Sequence, residues 1–124
     1  MDPRKLRVLI VEDEFFIALD AEEQVKSLGH SVVGTAVSAE QAIRLAGEEK
    51  PDLVLMDIRL IGPVDGITAA QEIRSRYGVE AIFVTANTDP STLARAESIE
   101  PLAVLRKPLT KDRLAAQLAR LLTK

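Results

Sequence analysis

The stretch VLIVEDEFF, residues 8–16, places an apolar segment directly before a run of acids. Residues 8–11 are apolar without interruption, which is typical of a strand that is covered on both faces. The next three residues, Glu12, Asp13 and Glu14, all carry carboxylates. Like charges repel one another, so the end of a buried strand is a costly place to gather them unless a positive group lies nearby. The stretch therefore predicts a cation at this end of the strand.

Strands and helices are expected to alternate five times along the chain. Five short segments are apolar or rich in β-branched residues, and helical patterns follow them. These expected strands are 6–11, 30–37, 52–56, 81–85 and 102–105. Ser38, Asp89 and Thr110 are predicted to cap three of the helices. The alternation predicts an α/β domain of (βα)5 pattern with a parallel five-stranded sheet between helices, and we take the flavodoxin-like, doubly wound order 2-1-3-4-5 for it.

Length and composition favour one domain with its own core. The chain has 124 residues, of which 47% are hydrophobic, so we expect a single domain over 1–124 with its core at 6–122. Because the chain has no cysteine, it has neither disulfides nor thiolate metal sites. A net charge of −3 with scattered Lys and Arg argues against nucleic-acid binding. No apolar run reaches the length of a membrane span or a signal peptide, so we expect a cytoplasmic protein.

Chemically distinctive residues follow four of the five expected strands. In open parallel sheets, ligands bind beyond the carboxyl ends of the strands, where the strand order reverses. Glu12 and Asp13 follow the first strand and Asp57 follows the third. These two strands are neighbours in the expected order, so their carboxylates are predicted to form one cluster. Thr85 and Lys107 follow the fourth and fifth strands, which places a hydroxyl and an ammonium on the far side.

The expected cluster suits a hard divalent cation. Mg²⁺ takes oxygen ligands, is held by a few carboxylates and keeps open positions for water or phosphate. Lys107 would pair with a carboxylate at rest and with a phosphoryl oxygen during reaction. Carboxylate nucleophiles are known to form aspartyl-phosphates, and the central Asp57 is best placed to be one. The residues therefore predict phosphoryl transfer assisted by Mg²⁺.

The motifs VEDE, LVLMDIRL, DG, FVTA and RKP resemble the motif set of response-regulator receiver domains. Each motif is weak alone, but five at the right strand ends in the right order are strong. The resemblance implies a signalling phosphoacceptor that takes a phosphoryl group from a histidine kinase or phosphotransfer protein onto Asp57. It implies catalysis of its own phosphorylation and dephosphorylation only. It further implies that the backbone carbonyl of Arg59 completes the Mg²⁺ site. Thr85 then corresponds to the switch hydroxyl of the family, and Lys107 to the lysine of the family's site.

Three departures from the family pattern concern how the signal leaves the site. The loop 57–66 is one residue longer than the usual form, and Arg59 is longer and cationic compared with many relatives. Val104 stands where the family usually has Tyr or Phe, and a short β-branched side chain cannot replace a rotating ring. We therefore expect the signal to travel through the backbone of 87–98 together with the loop 58–64.

We expect surfaces that bind partner proteins to lie next to the site. Residues 91–122 form the face nearest to Thr85 and Lys107, where a downstream protein or a second copy is expected to bind. Phe15 and Phe16 are expected in the core or in an interface rather than around a cofactor. Both a protein that acts alone and a domain of a longer chain agree with the sequence.

The acids and Asp57 also have interpretations other than a phosphoacceptor site. Residues 12–14 alone could be the start of a helix that favours negative charge. A haloacid-type phosphatase needs a second Asp two residues after the nucleophile, where this chain has Arg59. A flavodoxin-like cofactor binder needs a phosphate loop rich in Ser, Thr and Gly after the first strand, where acids stand. The remaining alternative is a phosphorylation-independent binding or dimerisation module on the same fold.

Overall fold

The computed structural model describes residues 5–86 and 89–123. Within them, strands and helices alternate as β1 Arg7–Val11, α1 Phe15–Ser27, β2 Ser31–Ala36, α2 Ala39–Glu49, β3 Leu53–Met56, α3 Gly66–Tyr77, β4 Glu80–Thr85, α4 Pro90–Ser98, β5 Ala103–Arg106 and α5 Lys111–Leu122. The strands pair in parallel in the order β2-β1-β3-β4-β5, which confirms the predicted fold. Asn87, at the start of the expected signal route, lies outside the described residues, as do both ends of 1–124. No helix in the described ranges is long and apolar enough to cross a membrane.

Polar side chains fix the first turn of four helices. The side chains of Ser38, Asp65, Asp89 and Thr110 each accept a hydrogen bond from the backbone N–H three residues further on. Caps of this kind are each worth roughly 1 kcal/mol. Three of them are the caps expected from the sequence, and Asp65 adds one at the start of α3. Because α2, α3 and α5 begin at defined residues, the loops before these three helices are held at both ends.

The apolar strands divide their side chains between two core layers, one on each face of the sheet. Successive residues of a strand point to opposite faces, so β1 and β3 contribute alternate residues to each layer. The layer under α1 and α5 contains Val8, Ile10, Leu53, Leu55, Leu114 and Leu118. The layer under α2, α3 and α4 contains Leu9, Val11, Val54, Met56, Ile73 and Ala96. The two central strands, covered on both faces, form a rigid base for the residues that follow them.

The start of α1 differs from the rest of the fold because its apolar side chains are exposed. Phe15 is 71% exposed, Phe16 80% and Leu19 41%. The two rings meet edge to face with centroids 5.3 Å apart. Further along the same helix, Val25 is buried, whereas Ile17 near its start is 36% exposed. The phenylalanines therefore lie outside the core, and Phe15, Phe16 and Leu19 together form what is called here the α1 patch.

Candidate functional site

The central strands bring the predicted acids together. Val11 and Met56 are partners in the register between β1 and β3, so the residues that follow them, Glu12 and Asp57, are also neighbours. The backbone N–H of Asp57 donates to the carbonyl oxygen of Val11 at 2.9 Å, which extends the strand pairing by one residue. Carboxylate oxygens of Glu12, Asp13 and Asp57 lie within 4.8 Å of one another. The structure thus gathers the expected cluster at the carboxyl end of the sheet.

Lys107 supplies the positive group that the acids require. Its backbone N–H donates to the carbonyl oxygen of Thr85 at 2.9 Å, which fixes the residue at the end of β5. Its Nζ donates to Glu12 Oε1 at 2.7 Å and to Asp57 Oδ2 at 3.4 Å. One ammonium therefore contacts two carboxylates across the sheet. Because an ammonium is a point charge without fixed geometry, it can exchange one of these oxygens for another acceptor.

Burial and mutual repulsion set the protonation of the cluster. Glu12 and Asp57 are 6% and 7% exposed. Burial, followed by the negative charge of Glu12, raises the pKa of Asp57 to about 6, although Lys107 opposes the shift. Burial and Glu12 also raise the pKa of Asp13. Burial acts to lower the pKa of Lys107, but its contacts with Glu12 and Asp57 outweigh this effect and raise the pKa. Burial and mutual repulsion together thus disfavour the ionised acids more than one ammonium favours them, and a further cation would stabilise them.

The donor set of the pocket fits Mg²⁺. The pocket has a volume of about 210 Å³ and is lined by Glu12, Asp13, Glu14, Asp57, Arg59, Thr85, Ala86 and Lys107. Its metal-ligating side chains are carboxylates, and they lie close enough to share one ion. A water molecule occupies about 30 Å³, so the pocket has room for an ion with several waters or a phosphoryl group. Oxygen ligands with space for water are what Mg²⁺ prefers.

All six residues singled out from the sequence line this one pocket, although their individual roles remain predictions. Thr85, at the end of β4, is 2% exposed. Arg59 lies at the exposed rim, next to the start of the longer loop. Val104 is half-buried and packs into the core layer under α2, α3 and α4.

Two features of the site were not expected from the sequence. Glu14 and Ala86 also line the pocket, which follows from their places directly after the acidic pair and after Thr85. Gly66 lies against the backbone of Asp57, although the sequence indicates only a turn before a helix at this point. The chain separation of nine residues gives no signal of that contact in the sequence (66 − 57 = 9).

Comparisons with known proteins agree with this geometry. A family model described as "Response regulator receiver domain" matches residues 8–119. The chain is 35% identical to phyllosphere-induced regulator PhyR of Methylorubrum extorquens, over 93% of this chain and 43% of that protein. It is 38% identical to transcriptional regulatory protein PdtaR of Mycobacterium tuberculosis, over 84% of this chain and 50% of that protein. The chain therefore spans about half the length of these curated relatives.

A solved structure shows the same likeness along nearly all of its own length. It is the signal receiver domain of a modulated diguanylate cyclase from Desulfovibrio desulfuricans G20, which matches with a TM-score of 0.91 at 33% identity. The match covers 97% of this chain and 95% of that one. The likeness thus extends over all five strands and helices rather than one motif.

Proposed function

The chain belongs to the response regulator receiver domains, and we propose that it accepts a phosphoryl group on Asp57 from a histidine kinase or phosphotransfer protein. The observation that supports this proposal is the shared pocket, in which Asp57 lies beside two further carboxylates and within 3.4 Å of the Lys107 ammonium. The reaction belongs in the cytoplasm, where ATP charges protein phosphodonors. The domain acts in two-component signal transduction, as a signalling module rather than a conventional enzyme.

The proposed transfer uses Asp57 as the nucleophile. A carboxylate oxygen attacks phosphorus, the bond from phosphorus to the donor nitrogen breaks, and the electron pair stays on that nitrogen, which takes up a proton from solvent. When bound, Mg²⁺ would supply charge stabilisation to the transferring phosphoryl oxygens. Glu12, Asp13 and Asp57 would hold the ion, together with the backbone carbonyl of Arg59. The pKa of about 6 leaves Asp57 mostly ionised at neutral pH, as a nucleophile must be.

Lys107 acts on the phosphoryl group during its transfer, and Thr85 acts on it once it has arrived. The Nζ of Lys107 lies 2.7 Å from Glu12 and 3.4 Å from Asp57, so it reaches the space where phosphoryl oxygens will lie. It exchanges its longer contact for one of those oxygens and keeps the shorter one. Thr85 lines the same pocket from the end of β4 and offers a hydroxyl to another oxygen. Movement of Thr85 toward the phosphate carries the change into α4.

The protein donor contacts the α1 patch while it reaches Asp57. Asp57 is only 7% exposed, so a donor must cover the rim of the pocket to bring its phosphorus to the carboxylate. The α1 patch starts directly after Glu14, a residue of that rim. Exposed aromatic side chains are strong anchors in protein interfaces. Within the described residues, the face 91–122 has no large apolar side chain that is strongly exposed, so it suits a more polar downstream partner or second copy.

Labelling with a small phosphodonor tests the proposed function. Acetyl phosphate with Mg²⁺ should add one phosphoryl group to the wild-type protein, as measured by intact mass. Asp57→Asn should remain unlabelled because an amide cannot attack phosphorus. Chelation of Mg²⁺ should stop labelling of the wild type. A wild-type protein that stays unlabelled yet still binds its kinase would instead support the phosphorylation-independent binding module.

A further inference from the structure

The first residue of α3 lies unusually close to the backbone of Asp57. A Cβ atom added to Gly66 would overlap the carbonyl oxygen of Asp57 and lie 2.9 Å from its carbonyl carbon. It would also lie 3.0 Å from Cγ of Met56. Gly66 is absent from the residues with positive φ, so its backbone conformation does not itself require glycine. The lack of a side chain is therefore needed for space.

Hydrogen bonds hold residues 57–59, called here the Asp57 segment, between β1 and α3. The N–H of Asp57 donates to the carbonyl oxygen of Val11 at 2.9 Å, and the N–H of Gly66 donates to the carbonyl oxygen of Ile58 at 2.7 Å. The first turn of α3 is itself fixed, because Asp65 Oδ1 accepts from the N–H of Thr68 at 3.0 Å. The segment cannot move away from α3 without breaking its bond to β1.

We propose that Gly66 is a positioning residue for the phosphoacceptor, an inference that rests on the proposed function of Asp57. With no side chain at 66, α3 closes onto the Asp57 carbonyl and sets where the carboxylate and the Arg59 carbonyl lie relative to the other acids. A methyl group there would displace the segment by roughly 1 Å, because carbon and oxygen atoms pack at about 3.5 Å. A misplacement of the reacting groups by about 1 Å can slow a reaction by about 100-fold, even when the mutation that causes it makes no contact with the reacting atoms.

The helix propensity of residue 66 alone predicts the opposite sign. Glycine is a poor helix former, and alanine is the best one. If the contact with Asp57 had no effect, Gly66→Ala would leave stability unchanged or raise it, and the pocket would not respond. The steric contact predicts instead that Gly66→Ala weakens the site while all its acids and Lys107 remain.

The test compares Gly66→Ala with two control variants in Mg²⁺ binding and in labelling by acetyl phosphate. We expect Gly66→Ala to bind Mg²⁺ about 10-fold more weakly and to label about 100-fold more slowly. Gly47→Ala also brings a Cβ close to a neighbour, 2.6 Å from the Tyr77 hydroxyl oxygen, but away from the pocket. Ile73→Val removes a buried methyl group from the same helix. Both controls should keep wild-type affinity and rate at a temperature where circular dichroism shows each variant folded.

Amide NMR of the wild-type protein keeps the inference testable if Gly66→Ala fails to fold. Beryllofluoride with Mg²⁺ should shift the Gly66 amide, since its acceptor Ile58 directly follows the residue that takes up the phosphoryl analogue. A silent Gly66 amide, or wild-type affinity and rate in folded Gly66→Ala, would overturn the positioning role and leave the proposed function intact. If the wild type is not labelled, the proposed function fails. The amide shifts of 57 and 58 in Gly66→Ala then decide the positioning role, and unchanged shifts overturn it.

Discussion

The pocket around Asp57 has two sides that are held by different kinds of contact. Toward β1 and β5, side chains make the contacts, with Lys107 Nζ 2.7 Å from Glu12 and 3.4 Å from Asp57. Toward α3, the backbone makes them, with the N–H of Gly66 2.7 Å from the carbonyl oxygen of Ile58. Charged side chains can exchange partners when a phosphoryl group enters, whereas the backbone contacts change only if α3 moves. The side-chain side therefore supplies the chemistry, and the backbone side supplies the geometry.

The largest effect is expected from removing the cation of the side-chain side. Lys107→Ala should slow labelling by acetyl phosphate about 100-fold, because one preorganised donor to a transition state is worth roughly this factor. Mg²⁺ binding should persist, since the three carboxylates remain and a competing positive charge is gone. Initial labelling rates and Mg²⁺ titrations measure the two quantities. Lys111→Ala, an exposed change at the start of α5, is the control and should alter neither. Parallel loss of Mg²⁺ affinity and rate in Lys107→Ala would contradict this division of roles.

The next effect separates the chemistry from recognition of a protein donor. Phe16→Ala should reduce transfer from the protein phosphodonor about 10-fold, since truncation of an aromatic anchor costs about 1–2 kcal/mol. Labelling by acetyl phosphate should not change, because Phe16 is 80% exposed and absent from the pocket lining. Tyr77→Ala, which removes a 40% exposed ring at the end of α3, is the control and should affect neither donor. Equal slowing with both donors would mean that the ring supports the pocket rather than the interface.

The sequence was sufficient to predict the side-chain side of the pocket. In the expected order 2-1-3-4-5 the first and third strands are neighbours, and the carboxyl ends of neighbouring parallel strands meet, so Glu12 and Asp57 could be placed together. Lys107 could be placed opposite them by the same argument. The residue types then identify the chemistry, because carboxylates near an ammonium favour a hard cation and a phosphate.

The backbone side and the α1 patch could not be predicted in the same way. Gly66 after Asp65 indicates a turn before a helix. The close approach of Gly66 to the carbonyl group of Asp57 produces no recognisable sequence pattern. Phe15 and Phe16 were expected in a core or an interface, and hydrophobicity alone could not choose between these places. The helix begins four residues past the end of β1, and both phenylalanines fall in its first turn (15 − 11 = 4).

A smaller effect tests whether the side-chain side or the backbone side of the pocket transmits phosphorylation to α4, given that position 104 is a valine rather than an aromatic residue. Val104→Ala should cost about 1–2 kcal/mol of stability through lost packing of a half-buried side chain, with the response to beryllofluoride kept. Deleting Gly62 shortens a loop that is tied at Ile61 to Ser38 and by the Ile58 carbonyl to α3. This deletion should weaken coupling to α4 by roughly 1 kcal/mol, or about 5-fold.

Hydrogen exchange of α4 amides, with and without beryllofluoride, measures that coupling in both variants. The expected signal route includes Asn87, which is outside the described residues, so the readout uses residues 90–98. The backbone route predicts that the exchange difference survives in Val104→Ala and shrinks after the Gly62 deletion. The reverse pattern would assign the signal to β5 instead.

The smallest effect concerns the ion pair between Asp65 and Arg95, which joins the backbone side to α4. Arg95 Nη1 lies 3.0 Å from Asp65 Oδ2, with side chains 55% and 32% exposed. Burial acts to raise the pKa of Asp65. Hydrogen bonds from Thr68 and Arg95 outweigh this effect and hold the pKa below its usual value. A carboxyl whose pKa is lowered on folding stabilises the protein above its unfolded pKa, and this contribution is lost as the pH falls through the folded pKa.

Asp65→Asn should therefore cost about 0.2–1 kcal/mol at neutral pH, the range of solvent-exposed pairs. The difference from wild type should stay level down to about pH 5 and vanish as the pH falls through the lowered pKa of the folded carboxyl, because the wild-type carboxyl is then neutral as well. Urea unfolding at several pH values measures it, and added salt should reduce it. Asp65→Asn in an Arg95→Gln background isolates the ion pair, since the amide oxygen can still cap α3. Two outcomes would contradict this expectation: a stability difference that grows on acidification, and one that persists in the Arg95→Gln background. Either would show that Asp65 acts only as a cap and that this ion pair does not tie α4 to the backbone side.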